Sequence, residues 1–172
     1  MTDTMTPEQR TRCMQHIRGR NTKPEILVRK FLFASGFRFR VNVRRLPGTP
    51  DIVLRKYKTV IFINGCFWHG HSDCNLFRLP KSNIEFWKNK IERNKIRDQR
   101  VKLELRNLGW NVITVWECQL KPKIRLATLD SLAYTLNHIF LLNHKPHPYH
   151  IEEEQNTLAA EAENKYQKNK EL

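Results

Sequence analysis

The stretch Val60 to Cys74, VIFINGCFWHGHSDC, concentrates side chains that can do chemistry. Cys66, His71 and Cys74 fall inside it, and a further thiol, Cys118, lies far downstream. Three sulfurs and one imidazole make a donor set that suits tetrahedral Zn²⁺. The step from Cys66 to Cys74 is not a common zinc-finger spacing, and the competing reading is a group of buried free thiols beside a surface histidine. Position favours the metal: Cys66 and Cys118 each stand just past an apolar run of strand type, so parallel neighbouring strands would bring the two thiols together. Cys13 is assigned to packing. His69 in the same stretch can move protons. Phe67 and Trp68 are consecutive large aromatics on a loop, a place where a core has no evident use for them.

A second group surrounds Asp51, in Leu46-Pro47-Gly48-Thr49-Pro50-Asp51. A Pro-Asp pair opening a strand, followed by a hairpin to a second strand, resembles the start of the PD-(D/E)xK nuclease core, where clustered carboxylates hold Mg²⁺ against a scissile phosphate. The second strand here offers Phe62-Ile63-Asn64 where that motif places an acid and a lysine. A magnesium site would therefore be carboxylate-poor, using Asp51, the backbone of the Ile63 region and waters, with a histidine taking over proton transfer.

These residues need elements to position them. Thr6-Pro7-Glu8-Gln9 has the form of a helix start, with a hydroxyl cap, proline at the first helical position and glutamine three residues on. The helix that follows, to about Arg18, carries Met14 and Ile17 among four arginines, and packing and DNA contact compete as readings. Thr22-Lys23-Pro24-Glu25 repeats the signature and opens a core helix that Gly36 stops. Glu25 can be explained there as a capping-box carboxylate. Phe37, Phe39, Val41 and Val43 alternate with basic and polar residues, predicting a half-buried strand. Strands over Ile52 to Leu54 and Thr59 to Asn64 would complete a β-meander. Ser82-Asn83-Ile84-Glu85 predicts a third capping box. It opens a long charged helix with an apolar stripe of Ile84, Trp87, Ile91, Leu105 and Leu108, ended by Gly109. A strand from Trp110 to Val115 and a mostly apolar helix around Thr128 to Leu142 follow. Helices interleaved with strands give an α/β chain with a mixed sheet. The expected division is an N-terminal helical segment over 1–21, one domain over 22–142, and a polar tail over 143–172 whose HKPHPYH tract reads as linker.

Lysine and arginine total 31 against 17 acids, a net charge of +14. Residues 1–150 hold 28 of those bases and 11 of the acids, a bias that favours a polyanionic partner. No segment pairs a basic face with a broad apolar one, as a membrane-surface helix would, and no long apolar run or signal-peptide pattern is present. A soluble, cytoplasmic, nucleic-acid-binding monomer is expected. Four cysteines in such a chain argue against a disulfide framework.

LPGTPDIVL, then VIFINGCFWHGH, then FW in a capped helix, then LGWNVITVWEC together resemble the very short patch repair endonucleases of bacteria, over about Met14 to Leu120. The resemblance implies a restriction-endonuclease-like fold, a structural zinc, and Mg²⁺-dependent nicking of double-stranded DNA beside a T:G mismatch left by deamination of 5-methylcytosine, with mismatch-repair proteins as candidate partners. It implies Asp51 as the metal-binding carboxylate, assisted by the Ile63 carbonyl, and His69 as general base or water-orienting group. Asp98 would support that histidine or bind the metal through water, and Glu25 would join the same site. Cys66, His71, Cys74 and Cys118 become zinc ligands. Phe67, Trp68 and Trp87 become aromatics that insert beside the mismatch, with Met14 approaching from the other groove. Two departures stand out: Asn64 replaces a histidine of the best-known members, and one extra residue separates His71 from Cys74. A zinc-stabilised DNA-binding module without catalysis, or a restriction-type nuclease without mismatch preference, are the rival readings. Asp51 with His69 argues against the first and the aromatics against the second.

Overall fold

The computed structural model describes residues 6, 8–9, 12, 15–16, 19–72 and 74–144. Within them, helix α1 (Lys23–Ala34) leads to strands β1 (Ile52–Leu54) and β2 (Thr59–Asn64), the long helix α2 (Ile84–Asn107), strand β3 (Asn111–Trp116), a short 3₁₀ helix (Glu117–Leu120) and helix α3 (Arg125–Asn143). The strands form one mixed sheet in the order β1-β2-β3. β1 runs antiparallel to β2, and β2 runs parallel to β3 with Thr59 opposite Asn111 and Asn64 opposite Trp116.

Alternation along the strands divides the core into two layers. Ile52, Leu54 and Ile61 face Val28 and Leu32 of α1 and Leu129, Leu132 and Leu136 of α3. Val53 and Val60 face Val101 and Leu105 of α2. One sheet face is thus covered by α1 and α3, and the other by α2. No helix among the described residues is long and apolar enough to cross a membrane.

Two helix starts follow the expected chemistry. Thr6 N donates to Gln9 Oε1 at 3.0 Å and Gln9 N to Thr6 Oγ1 at 3.3 Å, the reciprocal pattern of a capping box; Glu8, Gln9, Arg12 and Gln15 are helical. Thr22 caps α1 by accepting from the Glu25 amide at 3.4 Å. The third expectation is corrected. Asn83, left-handed at φ +51°, stands at the N-cap of α2 and no side chain caps that end. The first turn of α2 projects clear of the core and leaves Ile84 exposed, and Leu108, the C-cap at the other end, is exposed too, while Ile91, Val101 and Leu105 are buried.

The strand expected over Phe37 to Val43 is reduced to one antiparallel bridge between Arg40 and Val53. Phe37 is buried and Phe39 half-buried, so the alternation holds for those two. Asn42 then turns the chain at φ +49°, leaving Val41 44% exposed and returning Val43 to the α2 layer. The period-2 pattern registered burial, but the turn prevented a ladder.

Two glycines let α2 close on the loops around the sheet. Gly48 has φ +68°, and a Cβ there would overlap Val101 Cγ1; Gly70 has φ +58°, and a Cβ there would overlap Lys95 Cε and sit 2.7 Å from Ile91 Cγ2. A side chain at Gly48 would have to displace Val101, and one at Gly70 would have to displace Ile91 as well as the flexible end of Lys95, on top of the strain of a left-handed backbone.

Candidate active site and metal centre

Parallel pairing of β2 with β3 delivers Cys66 and Cys118 to the same end of the sheet, each two residues beyond its strand. His71 folds back through its amide, which donates to Cys66 O at 3.0 Å. Its ring stacks on Trp116 with centroids 4.0 Å apart and planes 4° from parallel. The donor atoms of Cys66, His71, Cys74 and Cys118 all lie within 4.8 Å of one another. Bonds of about 2.3 Å to sulfur and about 2.0–2.1 Å to nitrogen place neighbouring S and N donors of tetrahedral zinc ~3.5 Å apart. His71 Nδ1 lies 3.5 Å from Cys66 Sγ and 3.4 Å from Cys118 Sγ. The group therefore fits a soft tetrahedral cation. Without one, burial pushes the Cys66 thiol up to about 12, whereas a coordinating cation holds a thiol as thiolate.

The second site is a cavity of about 770 Å³ whose lining includes Glu25, Asp51, Ile63, Trp68, His69 and Asp98. Asp51 precedes β1 and its Oδ2 accepts from the Ile63 amide at 2.7 Å. Oδ1 carries no protein hydrogen bond among the described residues. Burial, with Glu25 adding to it, raises the Asp51 carboxyl above its ordinary range despite the Ile63 amide and the charges of Arg29 and His69. Such a carboxylate gains from an added cation.

His69 sits on the loop that Gly70 presses against α2, and its Nδ1 donates to Asp98 Oδ2. Burial raises the Asp98 carboxyl, but the bond to His69, its charge and Arg97 outweigh that and hold it below the usual range. Asp98 is therefore ionised at neutral pH and keeps the proton on Nδ1, leaving Nε2 as the basic nitrogen.

Glu25 stands in the first turn of α1. It is 4% exposed, its Oε1 accepts from Thr22 Oγ1 at 2.9 Å, and its Oε2 accepts from the Asn21 amide at 3.0 Å and from Arg29 Nη2 at 2.7 Å. It caps α1 and lines the cavity at once. Asn64 is buried at the end of β2 and also lines the cavity.

Phe67, Trp68 and Trp87 meet edge to face, with centroids 5.1–6.0 Å apart. They are half-buried and belong to neither core layer. Met14 and Cys13 lie outside the described residues, as does the tail beyond residue 144.

Sequence reasoning missed several neighbours of this group. Phe86 is 57% exposed and packs on Trp87 at 5.3 Å. Lys90 Nζ stands 5.6–5.9 Å from the rings of Phe86, Trp87 and Trp68, within cation–π range. Asn94 Nδ2 donates to Trp68 O at 2.9 Å. The signal was present as helical spacing: Phe86, Lys90 and Asn94 recur every fourth residue along one face of α2.

A family profile described as DNA mismatch endonuclease Vsr matches residues 2–76. The chain is 56% identical over 123 residues to the Type II nicking enzyme V.NmeAIP of Neisseria meningitidis, spanning 72% of this chain and 87% of that enzyme. It is 49% identical over 120 residues to the Type II nicking enzyme V.XorIIP of Xanthomonas oryzae, spanning 70% and 88%. To the DNA mismatch endonuclease Vsr of Escherichia coli K12 it is 42% identical over 126 residues, spanning 73% and 80%. With relatives of this identity matched over most of their length, the chain belongs to the very short patch repair family of DNA mismatch endonucleases.

Proposed function

We propose that this protein is a Mg²⁺-dependent endonuclease that nicks one strand of duplex DNA beside the T of a T:G mismatch produced by deamination of 5-methylcytosine, opening a short repair tract. The observation that carries the reading is the convergence of Asp51, held by the Ile63 amide, and the His69–Asp98 pair on one cavity. A DNA-binding module needs neither. The mixed sheet with helices on both faces is read as a restriction-endonuclease-like fold in which 22–142 is the nuclease domain, 1–21 a DNA-contacting segment and 143–172 a polar tail. The enzyme acts as a monomer, with mismatch-repair proteins as candidate partners.

Asp51 Oδ1 and the Ile63 carbonyl would hold magnesium, which supplies Lewis-acid stabilisation of the charge on the scissile phosphate. His69 Nε2 takes a proton from the attacking water, and Asp98 holds the imidazole in the required tautomer and balances the imidazolium that forms. Glu25 contributes to the negative field around Asp51. Cys66, His71, Cys74 and Cys118 bind a structural Zn²⁺, which ties the His69 loop to the end of β3.

Phe67, Trp68 and Trp87 form a wedge that enters the base stack, with Met14 approaching from the opposite groove. Unstacking a step costs a few kcal/mol and is least at a mismatched pair, so insertion favours damaged over intact duplex. Surface lysine and arginine provide the salt-sensitive grip on phosphates.

A strand-nicking assay on matched and T:G duplexes tests this assignment. Wild type is expected to nick the T:G duplex only with Mg²⁺, and Asp51→Ala to lose nicking while keeping duplex affinity. Nicking by Asp51→Ala at the wild-type rate would overturn it.

A further inference from the structure

Arg29 touches two residues of the cavity without being one of its candidate metal ligands or part of the histidine pair. It lies on α1 one turn after Glu25, and its side chain is only 13% exposed. Nη2 donates to Glu25 Oε2 at 2.7 Å and, at the longer distance of 3.4 Å, to the main-chain carbonyl of Asp51; Nη1 donates to Asn21 Oδ1 at 2.7 Å. With Thr22 and Asn21 also bound to it, the Glu25 carboxylate has both oxygens occupied. Glu25 is thereby held in one orientation.

The guanidinium also has a feature that a simple charge partner would not need. Its Nε is buried without a hydrogen-bond partner among the described residues, and an orphaned buried donor destabilises. A lysine ammonium would neutralise Glu25 without that cost. What the planar fork adds is reach in three directions from one rigid group: to Glu25, to Asn21 ahead of α1, and to the carbonyl of Asp51 at the mouth of β1. Asp51 in turn meets β2 through the Ile63 amide. The chain of contacts runs from α1 through Arg29 to Asp51 and on to Ile63.

We propose that Arg29 is a positioning residue for Asp51, locking the start of α1 to the start of β1 so that the carboxylate is presented in one orientation. The inference rests on the metal-dependent nicking assigned above for its kinetic consequence, but its structural consequence can be read without any activity. Loss of the fork loosens the Asp51 main chain and with it the Asp51–Ile63 bond, while the duplex grip, made elsewhere by surface cations, persists.

Three variants test it: Arg29→Lys, which keeps the charge and loses the fork; Arg29→Met, which loses both; and Glu25→Gln with Arg29→Met, which leaves no buried unpaired charge. Hydrogen exchange at the Ile63 amide is measured beside amides of α2. Single-turnover nicking is measured at saturating T:G duplex, with duplex Kd and Tm alongside. Faster exchange at Ile63 with α2 unchanged is expected in all three, together with nicking about 10- to 100-fold slower, as small misplacements of a reacting group produce, at near-wild-type Kd. In the double variant Tm should recover while Ile63 exchange stays fast. Unchanged Ile63 exchange in the three variants overturns the proposal. So does recovery of the rate along with Tm in the double variant, since Arg29 would then serve only to balance Glu25. If Ile63 exchange responds but wild type nicks no duplex, the positioning stands and the assigned function falls.

Discussion

Gly48 offers a direct test of how α2 holds the active-site loops, through Gly48→Ala. The residue has φ +68°, and the new Cβ would overlap Val101 Cγ1 and lie 3.2 Å from Cγ2. Left-handed backbone costs an L-residue about 1–2 kcal/mol, and forcing an extra methyl into a packed core costs about 1–3 kcal/mol. The sum is about 2–5 kcal/mol, which in a chain of this length lowers Tm by roughly 5–20 °C. Val101→Ala alone deletes two buried methyls and costs about 1.5–2 kcal/mol at the rate for buried apolar groups. Combining the two removes the overlap but not the backbone strain. The double variant should therefore be more stable than the sum of the singles predicts, by about 1–3 kcal/mol, the clash term itself. Gly48 is three residues before Asp51, so nicking by folded Gly48→Ala should slow and should partly recover in the double. Urea unfolding and single-turnover nicking of a T:G duplex measure both effects. A Gly48→Ala protein that melts within about 2 °C of wild type, on the scale of 2–4 °C per kcal/mol, or a strictly additive cycle, would refute the packing of α2 on this loop.

Cys118→Ala should lower bound zinc well below one ion per chain and make Tm insensitive to chelator, whereas wild type loses stability when chelated; elemental analysis of zinc-replete protein checks it, and wild type without zinc would end the assignment. Asp98→Asn should slow nicking by about 10- to 100-fold, as loss of a histidine's supporting carboxylate does, with Kd for duplex retained. Because the Asp98 carboxyl is held below its ordinary range, its stabilising effect is present above that range and lost as pH falls through its folded value. The Tm gap between wild type and Asp98→Asn should therefore close on acidification, and a gap that widens would show the sign to be wrong. Phe67→Ala and Trp68→Ala should melt near wild type yet lose preference for T:G over matched duplex; a large fall in Tm with preference intact would return both residues to the core.

How much of this was legible in the sequence depended on whether the signal was local. The helix starts at Thr6 and Thr22 were readable because a cap and its partner are three residues apart. The meeting of Cys66 and Cys118 was readable because two strand-like runs each end two residues before a thiol, and only parallel pairing was needed to join them. The alternation from Phe37 to Val43 misled because a left-handed Asn42 breaks a strand without disturbing its pattern of polarity. The start of α2 misled for the related reason that Asn83 enters it from the left-handed region, where the Ser82 hydroxyl has no role.

What no local pattern could supply is the role of α2 itself. Its sequence reads as a charged helix with a thin apolar stripe, and its mean burial is low. Yet Ile91 and Lys95 fit against Gly70, Asp98 binds His69, and Val101 fits against Gly48. Along little more than ten residues, one helix face meets the histidine loop, then the histidine, then the loop leading to Asp51. A helix is rigid over that length, so its contacts with Gly70, His69 and Gly48 brace the His69 loop and the loop before Asp51 from the same side. The same face, continued toward the N-terminus, carries Asn94 bound to the Trp68 carbonyl, then Lys90 and Phe86 beside Trp87. If the aromatics read the mismatch and His69 with Asp51 cuts the strand, α2 is the ruler that fixes the distance between reading and cutting. A change at the contact between α2 and the histidine loop, such as a bulky side chain at Gly70, which faces Ile91 and Lys95, should then uncouple mismatch preference from nicking rate.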